Sequence, residues 1–211
     1  PAGIVTLLMA GLGTLAAVRL RILAGYVVLA SSGTLFIAFS LAAAQAIGAG
    51  LYYLAHSTFA AAALFLIVAL VRRHRITDRT NVVLPIRDAW LSGGLYFVAA
   101  IALIGLPPLS GFIGKLTVLM ATPAPHTAWV WSTVLATSFF MLVAMTRAGS
   151  RLFWLVPSEP APAAPSRARP TRAPRREVVA IVLLLGYGVI MTVAAGPLLD
   201  YTRAAGEQLV S

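Results

Sequence analysis

Cysteine is absent from the 211 residues. That excludes disulfides, thiol nucleophiles and cysteine-held zinc or iron–sulfur centres. Acids are scarce as well: Asp78, Asp88, Glu159, Glu177, Asp200 and Glu207 are the full set, all in polar connections or at the ends of apolar runs. No carboxylate pair, metal-ligand cluster or glycine-rich phosphate loop is visible, so covalent or hydrolytic chemistry has no apparatus. The chain is therefore not expected to be an enzyme, and no cofactor or metal is expected. Lysine occurs once, at Lys115, and the other fifteen basic residues are all arginine.

What is abundant is apolar sequence. Hydrophobic residues make up 60% of the chain and charged ones 10%, in repeated runs long enough to cross a bilayer. The fold class this predicts is an all-α polytopic membrane protein with about six transmembrane helices, one of them discontinuous. The expected spans cover residues 3–18, 22–44, 51–71, 89–121, 128–145 with an extension toward 154, and 178–199. A short neutral connection over 45–50 separates the second and third. Residues 1–156 should form a five-helix bundle and 157–177 a Pro/Ala/Arg-rich linker. The final span follows over 178–199, and then a short amphipathic tail over 200–211. Trp129, Trp131, Phe153 and Trp154 flank the fifth span as interfacial aromatics do. The first residue is Pro1 and apolar sequence begins at once, so a C-terminal part of a longer protein is expected.

A formal charge of +10 raises the question of nucleic acid. Placement answers it, because all basic residues except Lys115 and Arg203 cluster at span ends that alternate to one side. By the positive-inside rule that side is cytoplasmic, and both ends of this chain lie outside. The partner this predicts is the bilayer rather than nucleic acid. The arginine-rich linker is suited to contact with anionic lipid.

The fourth run is the one around which the rest is organised. Over 89–121 it exceeds the ~20 residues a straight span needs, and it contains Gly105-Leu106-Pro107-Pro108-Leu109-Ser110-Gly111. Two consecutive prolines remove two amide donors and glycines free the backbone, so the helix should break near 106–111 and restart with Lys115 in its second half. Broken helices exist at membrane depth only where protein or water satisfies the freed backbone. An ionisable residue beside such a break points to an ion or proton path. The competing reading is a lysine that snorkels to the headgroups.

His56 is the other ionisable residue well inside a span. A histidine and a lysine in the membrane suit proton transfer rather than bond cleavage. An interhelical hydrogen bond to Ser, Thr or Tyr is an equally good account of His56 alone. Ser31, Ser32, Thr34 and Ser40 in the second span fit close helix packing better than a place in an ion path.

The segment Leu51-Tyr-Tyr-Leu-Ala-His56-Ser-Thr-Phe-Ala60 followed by GLPPLSGFIGK over 105–115 resembles the antiporter-like subunits shared by Mrp cation/proton antiporters and respiratory complex I. Arg147-Ala-Gly-Ser-Arg-Leu-Phe-Trp154 adds a likeness to the Mrp D-type component. The resemblance covers nearly the whole chain, as the last six helices of a fourteen-helix subunit. It implies a proton-translocating subunit of a multisubunit Na⁺/H⁺ antiporter in the cell membrane, working with other membrane subunits. Lys115 would be the switchable proton carrier and His56 a relay. Gly105, Pro107, Pro108, Ser110 and Gly111 would form the helix break between them. Family members also carry a preceding inverted repeat with its own Glu–Lys pair, which these residues do not include. A proton-pumping subunit of complex I or of a membrane hydrogenase is the near alternative, and a structural scaffold subunit the distant one.

Overall fold

A computed structural model describes residues 1–74, 79–80, 89–154 and 175–210. The linker over 157–174 and most of the loop over 75–88 lie outside these residues. Among the described residues the regular elements are all helices: α1 (Ala2–Ala16), α2 (Leu20–Ser40), α3 (Ala44–His74), α4 (Ala89–Ile104), α5 (Ser110–Met120), α6 (Ala124–Gly149), α7 (Arg175–Val193) and α8 (Ala195–Val210). A π-helical turn, Ser150–Trp154, extends α6. Among the described residues four helices are long and apolar enough to cross a membrane, while α1, α4 and α5 are shorter apolar helices. The all-α polytopic fold is as the composition requires.

The extents of several elements differ from the sequence reading, each for a local reason. Residues 45–50 are not a connection but the first turns of α3, since Ala, Gln and Ile there carry no breaker stronger than Gly48 and Gly50. Pro123 caps α6 at its N-terminus, so that helix starts four residues before the expected span. The tail over 200–211 is helical as far as Val210, and Arg175, Arg176 and Glu177 belong to α7 rather than to the linker. Pro197 supplies no amide to the helix, and the α7–α8 junction falls one turn before it.

The core is made where small residues let helix backbones meet. Gly3 and Gly33 face each other across α1 and α2, where a methyl group on Gly3 would stand 3.1 Å from the Gly33 carbonyl oxygen. Such small-residue contacts are how helices associate where lipid is as apolar as leucine. α3 runs through the middle, touching α2, α4, α5, α7 and α8.

One end of the bundle gathers the cationic ends of the helices. Arg147 at the end of α6 donates to the Leu15 carbonyl of α1. The Thr80 amide and hydroxyl both donate to the Val18 carbonyl, at 2.9 and 3.1 Å. Arg73 at the end of α3 pairs with Glu177 at the start of α7, 2.6 Å apart.

Candidate functional site

The site grows out of how α4 stops. Gly105 takes φ +83, the left-handed conformation that ends helices at glycine. Its amide donates to the Ile101 carbonyl, and the Leu106 amide turns back to that same oxygen at 3.1 Å. Leu106 is then spent and cannot serve the Ala102 carbonyl. Pro107 and Pro108, the residues that would serve Leu103 and Ile104, have no amide hydrogen. Three consecutive carbonyls at the end of α4 are left without helical donors, in a setting where each unpaired group costs several kcal/mol, roughly 2–7.

Two side chains take them. His56 Nε2 donates to the Ala102 oxygen at 3.2 Å. Lys115 Nζ donates to Leu103 at 3.3 Å, to Ile104 at 2.7 Å and to Ser138 Oγ on α6 at 3.0 Å. An ammonium has three hydrogens, and all three are used. The position is favourable for a cation, because the carbonyl end of a helix carries about half a negative charge. Lys115 is only 8% exposed, so it does not snorkel.

The restart of the helix contributes the rest. Ser110 and Gly111 are not in the break itself, which spans 105–109, but in the first turn of α5. Ser110 Oγ lies 2.8 Å from His56 Nδ1. A carbonyl can only accept, so Nε2 bears hydrogen; in the neutral ring Nδ1 then accepts from the serine hydroxyl. Gly111 is where α5 passes against this arrangement: a methyl group there would run into the Ala102 carbonyl and stand 2.7 Å from His56 Nε2. At Gly105 it would meet Lys115 Cδ at 2.9 Å. The peptide bond between Pro107 and Pro108 is cis.

The structure thus brings all the singled-out residues together, with His56 and Lys115 on adjacent carbonyls of one broken turn. Two neighbours were not legible beforehand. Ser138 lies mid-span on α6, and its only sequence signal is the hydroxyl pair Thr137-Ser138 inside an apolar run. Tyr53, one turn before His56 on α3, donates to Ser31 Oγ on α2 at 3.3 Å, with its ring centroid 6.0 Å from that of His56. A cavity of about 10 Å³, the size of one water, is bordered by Thr34, Tyr53, Lys115, Thr137 and Ser138. Of the α2 hydroxyls, Ser31 and Thr34 bond the Val27 and Ala30 carbonyls of their own helix, and Ser31 also accepts from Tyr53 across to α3. Among the described residues no cluster of acids and histidines is placed to hold a metal ion.

Residues 2–141 match the family described as NADH:quinone oxidoreductase/Mrp antiporter, TM. The chain belongs to that family. It is 31% identical to the D component of a probable K(+)/H(+) antiporter of Rhizobium meliloti, over 99% of this chain and 43% of that protein. It is 25% identical to the D component of a Na(+)/H(+) antiporter of Alkalihalophilus pseudofirmus, over 97% of this chain and 41% of the relative. The chain therefore spans less than half the length of the curated relatives it matches. Among solved structures, the Mrp complex from Dietzia sp. DQ12-45-1b shares the fold with a TM-score of 0.85 at 21% identity, covering all of this chain and 47% of that one. Respiratory complex I from Thermus thermophilus shares it at 0.75 and 21%, over 99% of this chain and 44% of that one.

Proposed function

We propose that this chain is a proton-translocating part of the D-type component of a multisubunit cation/proton antiporter, seated in the cell membrane among other membrane subunits. The observation that carries the reading is the shared broken turn, with Lys115 on the Leu103 and Ile104 carbonyls and His56 on that of Ala102. Each ionisable group also bonds one serine hydroxyl, Ser138 for Lys115 and Ser110 for His56. A hydroxyl accepts from the protonated group and donates to the deprotonated one, so both serines stay bonded through a change of charge. Backbone carbonyls fix where the charge sits, and the serines let it change.

In this reading Lys115 alternates between ammonium and amine, and His56 passes the proton along the break. Moving the cation in one direction biases that alternation, since a nearby charge shifts the balance between the two forms of a buried amine. Na⁺ is the cation we favour, with K⁺ as its competitor. The arginine-bearing end of the bundle faces the cytoplasm in this proposal, and both ends of the chain face out.

The test is cation-driven proton movement in everted vesicles carrying the full-length protein and its partner subunits, with assembly checked on native gels. Lys115→Gln should abolish ΔpH formation while the complex still assembles. Unchanged exchange in that variant would remove Lys115 from the path and leave a scaffold role. Exchange that depends on neither Na⁺ nor K⁺ in the wild type would favour a redox-driven proton pump instead.

A further inference from the structure

Beside the His56–Ser110 pair, away from Lys115, a second cavity of about 10 Å³ opens toward α7. It is bordered by His56, Ala102, Ser110, Phe59, Leu184 and Gly188. The space exists because residue 188 has no side chain: a methyl group built there would stand 3.6 Å from Ser110 Oγ, an ordinary contact distance. Next to it the rings of Phe59 and Tyr187 meet at a tilt, with centroids 4.2 Å apart. Such a volume holds one water if polar partners are present. Ser110 Oγ has lone pairs to spare, and the Ala102 carbonyl has a second one.

Counting hydrogens gives this space a purpose. With neutral His56, the Ser110 hydroxyl donates to Nδ1. Once Nδ1 gains a proton it must donate, so Ser110 has to accept there and point its own hydrogen elsewhere. Among the described residues, His56 is the one hydrogen-bond partner of the Ser110 hydroxyl. A buried hydroxyl hydrogen without an acceptor resists the switch.

We propose that the cavity over Gly188 is a site for one water molecule that accepts the Ser110 hydroxyl hydrogen when His56 is protonated, making Gly188 of α7 a positioning residue for the histidine step. The proposal rests on the proton-path reading above. Around His56, Tyr53 of the same helix has its ring centroid 6.0 Å away and Lys115 of α5 bonds the Leu103 and Ile104 carbonyls next to the one His56 holds. Toward α7, Tyr52 bonds the Met191 carbonyl and Tyr187 lies against Phe59. The only ionisable residue of α4 past Ala89, Tyr96, is turned to the Met145 carbonyl of α6.

Gly188→Ala tests it, because the added methyl fits sterically yet fills the water position. Gly186→Ala, with nothing within 4 Å of its methyl, is the control. In the same vesicles, Gly188→Ala should assemble and show an exchange profile displaced by about one pH unit to the acid side, the equivalent of one lost hydrogen bond. Exchange at fixed neutral pH should be about tenfold slower. A cryo-EM map that resolves ordered water should show one against Ser110 in the wild type and none in Gly188→Ala. No such water in the wild type, or a wild-type pH profile in Gly188→Ala, overturns the proposal. Loss of exchange in Lys115→Gln beside a wild-type Gly188→Ala would sink this inference alone, whereas undiminished exchange in Lys115→Gln would sink the reading beneath it.

Discussion

Lys115 Nζ stands 2.7 Å from the carbonyl oxygen of Ile104, the acceptor that Pro108 leaves without an amide partner. The lysine of the broken helix therefore also completes the backbone of its first half. A charge that is costly in a membrane and a break that is costly there offset each other, which ties the ionisation of Lys115 to the local structure.

That coupling separates substitutions that a simple charge-carrier view would group together. Lys115→Gln keeps an amide able to donate to the freed carbonyls, so it should assemble and remain inactive. Lys115→Ala leaves the Leu103 and Ile104 oxygens bare, at about 1–3 kcal/mol each, and should lose stability along with exchange. Lys115→Glu can serve the carbonyls only in its protonated form, so any residual exchange should be confined to acidic conditions. Thermal stability of the purified complex, measured beside transport, reads both axes.

Gly111→Ala should be more damaging than its size suggests. Its methyl would meet the Ala102 carbonyl and crowd His56 Nε2, and backbone cannot move aside as a flexible side chain does. We expect a loss of roughly 2 kcal/mol or more, in the range of overpacked sites, and loss of exchange even where protein is recovered. Gly94→Ala on α4, which meets nothing within 4 Å, should be neutral in both measurements.

Much of this site was legible in the sequence because its signals are chemically rare. One lysine and two adjacent prolines stand out in an apolar run, whereas His56 alone reads equally well as an interhelical hydrogen-bonding residue. Gly105 and Gly111 were marked by the same motif. What the sequence does not reveal is which atoms the break exposes. The slip of the Leu106 amide to Ile101 is what frees Ala102 for His56, and it depends on the left-handed turn at Gly105. Ser138 was missed because a serine inside an apolar span more often bonds its own helix. The early start of α3 was missed because a polar Gln45 between small residues reads as a connection until α8 is seen lying on it.

The α3–α8 crossing supplies a further prediction. A methyl on Gly48 would stand 2.9 Å from the Arg203 Cα and the Thr202 oxygen, and one on Gly206 would run into the Ala44 carbonyl. The two glycines let the helices touch backbone to backbone, a contact that small residues alone permit. Gly48→Leu or Gly206→Leu should push α8 off α3, with faster hydrogen exchange over 195–210. The His56 site lies two turns further along α3, so transport should fall by less than in Gly111→Ala.

The Arg73–Glu177 pair should matter far less than its 2.6 Å separation suggests. Arg73 is 57% exposed and Glu177 22%, so water and salt screen the attraction, and ordering the arginine side chain costs entropy. Among the described residues one Glu177 oxygen is buried without a partner, which takes back part of whatever the other oxygen gains. Pairs of this exposure contribute about 0–1 kcal/mol. Arg73→Ala, Glu177→Gln and the double variant should therefore differ little in thermal stability, and the coupling between them should shrink as salt is raised. Proton exchange should stay within about twofold of wild type. A coupling several times larger, persisting in high salt, would mean that α7 is held to α3 mainly through this pair rather than through contacts such as the Tyr52 hydroxyl on the Met191 carbonyl at 3.0 Å.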